Sequence, residues 1–408
     1  MRLRATATSG YRHASAGGAL RPTLDLRFAE YPTLDPRITF TRASTATFFN
    51  SAGVLTSAAV DAPRFDYNPS TLAAQGLLLE EARTNILLRS TLAGAVAGSP
   101  GTAPTGWNTG TFSGTPTLAL ATSIYGASDQ ALNYSGVSGD RLWHQQVINV
   151  VDGTTYTYSA YCETSSGSTK NVLEVISGTS TRTVISNTAT DPVGGAGVRV
   201  QVVFSVVGTG TITLRIGIGA NTPLTGAASV TLSRPQVEAG AFPTSYIPTT
   251  TTALTREAHV ASVNTLSPWY NATEGTLYSE ATFTNTASFN TTAALSDGTT
   301  SNAIRTIQWN DGTDRIFSIA TGGVSQASYI GTGQIGTAKF AGAYKLNDVN
   351  ASKNGSIGIT DTAATIPTVN ALWLGATGSS LFLLNGYLRR ITYYPRRLSN
   401  AELQAITT

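Results

Sequence analysis

Val230-Thr-Leu-Ser-Arg-Pro-Gln-Val-Glu-Ala-Gly240, continued by Ala241-Phe-Pro-Thr-Ser-Tyr-Ile-Pro-Thr249 and Thr250-Thr-Thr-Ala-Leu-Thr-Arg-Glu257, closes one β-rich region and opens another. Val230 to Ser233 alternates apolar and polar residues, the pattern of a strand with one buried face. Pro235 has no N–H to give to a ladder, so Arg234-Pro235 is expected at a strand edge or end, with Gln236 to Glu238 as a last short strand. Gly240, Pro243 and Pro248 then interrupt regular structure. The threonines from Thr249 to Thr252 offer little apolar surface to bury, which predicts a linker.

Outward from this joint, 408 residues are too many for one ordinary core, and three regions fit the pattern: 1–89, 90–248 and 249–408. Charged residues make up 12 %, against about 25 % in an average soluble protein. No window keeps a helical apolar period, so the expected class is all-β: an N-terminal region followed by two β-sandwiches. A formal charge of +3 spread along the chain argues against nucleic acid as a partner. Polar residues after Met1-Arg-Leu-Arg and the lack of a long apolar run argue against export by a signal peptide and against membrane insertion. Cys162 is the single cysteine, which rules out an intrachain disulfide; its alternating context predicts a buried thiol.

Residues 1 to about 20 lack apolar periodicity and are expected to form a flexible or partner-ordered arm. Leu24 to Phe28 and Ile38 to Arg42 read as short strands. The middle region begins near Trp107, and its strands run from Thr117 to Glu238; Gln146–Val150 with Gly153–Tyr161 is the strongest hairpin signal. In the last region, Gly275 to Phe283 is the first firm strand. Asn310-Asp-Gly-Thr is a strong turn between Ile304–Trp309 and Arg315–Ala320. At the end, Ser399 and Glu402 are spaced as a capping box and Leu398 and Leu403 as a hydrophobic staple, so a terminal helical turn is expected.

Three groups of motifs carry a resemblance. Phe40-Thr-Arg-Ala-Ser44, the Gly53 turn, Pro63-Arg-Phe-Asp66 and Leu79-Glu80 to Thr84-Asn85 resemble, in order and spacing, the amino-terminal block of bacteriophage virion fibre and spike proteins. Gln236 to Gly240 with Thr244 to Thr249 resembles the end of a jelly-roll module of such tail or head fibres, and the stretch around Gly153-Thr-Thr-Tyr-Thr-Tyr-Ser resembles carbohydrate-binding modules. Ala343 to Val349, Asn354-Gly355 and Gly386 to Leu403 resemble the second half of laminin-G-like, concanavalin-type sandwiches. The resemblance implies a homotrimeric fibre, assembled in the host cytoplasm, joined to other virion proteins through its N-terminal region and directed at host-surface polysaccharide.

Exposed aromatic faces stack on sugar rings, which makes Trp107, Trp143, Tyr125 and Tyr134 candidates in the middle region, with core packing favoured for Trp143. In the last region the candidate glycan-binding end is Trp269, Trp309, Asn310 and Asp311, with a core role the competing reading for Trp309. No catalytic residue is assigned. Glu274, Glu280 and Asp297 lack the Glu-x-Asp-x-x-Glu strand spacing of a concanavalin-type glycosidase, and His13, His144 and His259 accompany no nucleophile elbow. Arg42, Glu80, Glu81 and Arg83 read as structural charge pairs. No cofactor is expected; Asp297, Asp311 and Asp314 have oxygen ligands suited to calcium, but loop aspartates more often form turns. The expected function is therefore a non-enzymatic adhesin of a virion, against the alternatives of a glycan-degrading depolymerase or a ligand-free decoration protein.

Overall fold

The computed structural model describes residues 20–110, 113–126, 130–219, 222–285, 289–309, 315–379 and 381–408; the arm expected at the N-terminus lies almost wholly outside these residues. Where apolar and polar residues alternate, strands form. The leading segment carries β1 (Leu24–Arg27), β2 (Ile38–Thr41), β3 (Ala46–Phe49), β4 (Leu55–Ala58), β5 (Phe65–Tyr67), β6 (Ala74–Leu79) and β7 (Arg83–Asn85). Next come β8 (Asn108–Thr109), β9 (Thr117–Thr122), β10 (Gln130–Gly136), β11 (Leu142–Val150) and β12 (Thr155–Gly167). They are followed by β13 (Leu173–Ser177), β14 (Thr181–Asn187), β15 (Arg199–Val207), β16 (Gly210–Ile218) and β17 (Ala228–Ala239). After the linker the chain forms β18 (Leu254–Arg256), β19 (Val260–Val263), β20 (Glu274–Phe283), β21 (Phe289–Ser296), β22 (Ala303–Trp309) and β23 (Arg315–Thr321). It ends with β24 (Val324–Ile330), β25 (Gly336–Lys345), β26 (Asn350–Lys353), β27 (Ser356–Ile357), β28 (Ala371–Leu374), β29 (Gly386–Tyr394) and the helix α1 (Asn400–Thr407). The chain is all-β apart from α1 among the described residues, and no helix there is long and apolar enough to cross a membrane.

The middle sandwich packs the six-stranded sheet β14-β15-β12-β17-β10-β9 on the four-stranded sheet β13-β16-β11-β8. Tyr156, Tyr158, Ala160 and Cys162 of β12 face Ile212, Leu214, Ile216 and Ile218 of β16 in one core. The expected hairpin between β11 and β12 does not form. β11 pairs instead with β16, and β12 with β15 and β17, so the Asp152-Gly153 turn carries the chain from one sheet to the other. Ile148 and Val150 enter the core from one sheet and Tyr156 and Tyr158 from the other, so crossing between sheets lets the two apolar faces cover each other, which pairing within one sheet would not do.

β17 also departs from expectation, since it is paired on both sides, by β10 and β12, rather than lying at an edge. Pro235 is accommodated by a bulge: Ser159 pairs with Gln236 and Tyr161 with Ser233, leaving Arg234, at φ 50°, and Pro235 opposite Ala160. The extra residue inverts the alternation. Val230 and Leu232 face the core before it and Val237 after it, while Gln236 and Glu238 are turned outward to hold the linker.

The leading segment is not a separate region, which corrects the division at residues 1–89. β1 pairs β29, β6 lies between β29 and β5, and β2 pairs β19, so these strands complete the last sandwich. Its sheets are β27-β26-β25-β20-β29-β6-β5, joined by β1 on β29, and β2-β19-β28-β21-β22-β23-β24. Leu24, Leu26, Phe28, Leu77 and Leu79 share a core with Leu277, Phe283, Ile304, Phe317 and Phe340. The middle sandwich is thus an insertion between strands of a single terminal sandwich, and β7 pairs β18 where the chain leaves and returns.

At the C-terminus, Ser399 accepts from the Glu402 N–H, and the Glu402 carboxylate accepts from the Ser399 N–H at 2.8 Å. Leu398 and Leu403 are both buried against Tyr278, Ala341 and Tyr394, which fastens α1 to the outer side of β20, β25 and β29. The expected cap and staple are both present.

Candidate functional site: a cavity between the sandwiches

The aromatic residues singled out from the sequence are buried wherever their side chains are described, but Trp143 is not part of either sandwich core. Trp107 is 5 % exposed and its indole N–H donates to the Arg89 carbonyl; Trp269 is 4 % exposed, donates to the Thr265 carbonyl and meets Tyr393 edge-on. Both plug the ends of cores where a large flat side chain fills space between sheets, so neither offers a face to a sugar. Tyr125, Tyr134 and Trp143 are likewise buried. Trp143 lies between the guanidinium groups of Arg141 and Arg215, at 4.9 and 4.7 Å from its ring centre. Asn310, Asp311 and the Trp309 side chain lie outside the described residues, as do Asp314 and His13. The two strands flanking the expected turn do pair, Trp309 opposite Arg315.

The charge pairs of the leading segment form a buried network that ties the terminal sandwich to the linker. Arg42 is a clamp on backbone carbonyls, donating to Ser44, Ala62 and Ala59. Glu80 accepts from Arg64 at 2.6 Å and from the N–H and hydroxyl of Ser245 at 2.7 Å each, and lies 3.2 Å from Arg256. Burial opposes its ionisation, but Arg256, Arg64 and the Ser245 N–H outweigh burial and hold the carboxyl well below the usual range. His259 closes the ring. Arg64 can only donate, so His259 Nε2, at 3.0 Å, accepts, and Nδ1 carries the proton toward the Glu80 carbonyl. Burial, reinforced by Arg64 and Arg256, holds that imidazole neutral, with its pKa far below the ordinary value. Arg83 lies under the Phe242 ring at 4.7 Å, and Gly240 passes it at φ +130°, a backbone conformation that favours glycine.

Beside this network a cavity of about 280 Å³ lies between the sandwiches. The terminal sandwich contributes Asp66, Gln75 and Tyr387; the β3–β4 hairpin gives Thr47 and Phe49; the middle sandwich adds Tyr161 and Arg199; and the linker adds Thr244 to Tyr246. Asp66 and Arg64 face the same way because β5 alternates, with Phe65 and Tyr67 on the other side. Asp66 accepts from the Phe49 N–H and is hydrogen-bonded to Tyr387. Burial pushes the Asp66 carboxyl up to about 6, only partly offset by those two bonds and by Arg64. Arg199 donates to the Thr244 carbonyl and, at 2.8 Å, to Ser159 Oγ, and its guanidinium lies 5.4 Å from the Tyr161 ring centre. Phe49 and Tyr161 are themselves packed against Tyr125 and Tyr246, so the cavity offers chiefly fixed polar groups, which suit a polyhydroxylated ligand.

The sequence pointed to Pro63–Asp66 only as part of a motif; nothing local to it announced that Tyr387 and Arg199 would gather there. Glu274 and Glu280 are engaged elsewhere, Glu274 accepting from the Arg397 N–H and Glu280 from Arg389. Asp297 accepts from Thr299 and Asn302 in a turn, and among the described residues no group of three or more His, Cys, Asp or Glu side chains is placed to hold a metal. Cys162 is buried, and burial raises its thiol to about 11.

Comparison with family models finds no match, and comparison with the curated proteins finds none. Among solved structures, the chain is similar to the CBM40 module of a Ruminococcus gnavus IT-sialidase, at 17 % identity over 34 % of this chain and 84 % of the module, with a TM-score of 0.28. It is also similar to a mutant Trypanosoma rangeli sialidase displaying trans-sialidase activity, at 9 % identity over 71 % of this chain and 52 % of that one, with a TM-score of 0.26. A tandem CBM22 domain from Paenibacillus barcinonensis Xyn10C matches at 11 % identity, over 77 % of this chain and 99 % of that one, with a TM-score of 0.23. Scores this low carry no argument about ligand or activity.

Proposed function

We propose that this chain is a structural fibre or spike protein of a phage virion that binds host-surface glycan without catalysis, and that the cavity between its sandwiches is a saccharide site. The observation that carries the binding reading is the convergence of Asp66, Gln75, Arg199 and Tyr387 around one cavity. The virion role rests on the sequence resemblance, and assembly in the host cytoplasm follows from it. A homotrimer fits the exposed edge strand β14, where Val184 and Ile185 face outward and unpaired backbone invites a neighbour. Light scattering that returns the mass of one subunit at micromolar concentration counts against the oligomer.

The test is binding of the full chain to host cells before and after periodate oxidation of their glycans. Periodate is expected to abolish binding, and Gln75→Ala with Tyr387→Phe to weaken it by about tenfold, the worth of one or two lost hydrogen bonds. Binding that survives periodate refutes the glycan reading. The full chain is required because a 255–408 fragment lacks β1, β2, β5 and β6.

A depolymerase is the second reading, favoured by one feature: a buried carboxyl titrating near 6 is poised for proton transfer. Steady release of oligosaccharide that Asp66→Asn abolishes would establish it. Its weakness is that Glu80, the other carboxylate lining the cavity, is engaged by Arg64, Arg256 and Ser245.

A further inference from the structure

The outer face of the seven-stranded sheet carries a recessed cation with no counter-charge among the described residues. Ser262, Trp373, Ala294, Arg305, Ser318 and Ser328 are register partners in one row across β19, β28, β21, β22, β23 and β24. Their chain neighbours Val263, Leu372, Leu295, Ile304, Ile319 and Ala327 fill the core, so alternation puts this row on the opposite, outer face.

Arg305 is 7 % exposed. Its Nε donates to Ser318 Oγ at 3.1 Å and its guanidinium lies 6.0 Å from the Phe382 ring centre. No carboxylate is paired with it among the described residues. Its two terminal nitrogens have no hydrogen-bond partner there, yet they are not sealed from solvent. Burial, with Arg315 nearby, lowers its pKa to about 10, which leaves it cationic at neutral pH. A buried charge is costly unless paired, and a guanidinium fork matches a carboxylate in two-point geometry. Across Ala294 in the same row stands Trp373, roughly 10 Å away at two strand spacings. Its indole N–H is buried without an acceptor.

We infer that Arg305 anchors an anion subsite on this outer face, and that its occupant is the carboxylate of an acidic sugar residue. The cation alone asks only for an anion. Aromatic side chains at Trp373 and Phe382, with hydroxyls at Ser318 and Ser328, surround it with the groups that take up the apolar face and the ring oxygens of a saccharide. The choice of a sugar rests on the glycan reading of the chain, but the site lies on another face from the cavity and stands or falls separately.

The experiment is calorimetric titration of the full chain with α2,3-sialyllactose, a hyaluronate tetrasaccharide, lactose and sodium sulfate, for wild type, Arg305→Gln and Arg305→Lys. At least one acidic saccharide is expected to bind more tightly than lactose. Arg305→Gln should weaken it by about tenfold or more, with Arg305→Lys between, because lysine keeps the charge and loses the fork. The melting temperature of Arg305→Gln should not fall below that of wild type, since no ion pair is lost. Equal binding of acidic and neutral sugars, failure of every acidic probe, or unchanged acidic binding in Arg305→Gln overturns the inference. Sulfate binding as tightly as the saccharide overturns the sugar as occupant. Tyr387→Phe is expected to leave the Arg305-dependent binding intact, which separates failure of the subsite from failure of the cavity.

Discussion

Arg390 in β29 donates from Nε to Asp25 in β1 at 2.7 Å, a bond that spans 365 residues of chain. It marks the seam where the beginning of the chain is stitched into its end. Five core side chains, Leu24, Leu26, Phe28, Leu77 and Leu79, cross the same seam. At about 1.5–3 kcal/mol each, their burial is worth on the order of 10 kcal/mol, as much as the whole stability of a typical domain. A chain shortened to residues 255–408 is therefore expected not to fold. A cooperative thermal transition in that fragment would contradict this.

Glu80→Ala leaves the Arg64 and Arg256 guanidinium groups buried without their carboxylate. Losing one partner of a buried pair costs about 3–5 kcal/mol. Urea unfolding should register that loss, with Glu80→Gln milder because it keeps acceptor capacity for Ser245. A cost under about 1 kcal/mol would mean the network is dispensable.

Asp66 gives stability an unusual pH dependence. Its folded pKa of about 6 lies above the unfolded value of 3.8, so the folded state holds the proton more tightly. The resulting stabilisation is complete below pH 4 and is lost as pH rises through 6, by about 2–3 kcal/mol. Wild type minus Asp66→Asn, measured by denaturant melts from pH 3.5 to 7.5, should fall across that window; a flat difference refutes the assignment.

His144 acts in the opposite sense. Its Nδ1 meets the Tyr134 hydroxyl at 2.9 Å, and burial lowers its pKa to about 4 from 6.5. Stability from this group is complete above pH 6.5 and is lost as pH drops through 4, by about 3 kcal/mol. His144→Gln should remove that acid sensitivity, and an unchanged acid limb in the variant would show that the imidazole does not titrate there.

Much of the local structure was legible in the sequence. Leu24 to Phe28 alternates and forms β1 over Leu24–Arg27, and the spacing of Ser399 and Glu402 is enough to name the cap of α1. Both depend on neighbours within a few residues. The partner of a strand does not, and for that reason β11 and β12 look like a hairpin in sequence while lying in different sheets. The candidate site was hidden for the same reason. Trp107 and Trp269 have the chemistry of sugar platforms, but exposure decides that role, and a large aromatic side chain gains more by filling a core. Asp66 is an ordinary aspartate until Tyr387, Phe49 and Arg64 enclose it.

By itself, the sequence determined an all-β chain, the faces its strands bury and the way its last helix begins, because alternation and capping act over a few residues. Tertiary structure alone decided that the first strands belong to the last sandwich, that Pro235 sits inside a sheet, and that Arg305 lies recessed on an outer face. The physical reason is that a period of two says which side of a strand is apolar and nothing about which distant strand will cover it.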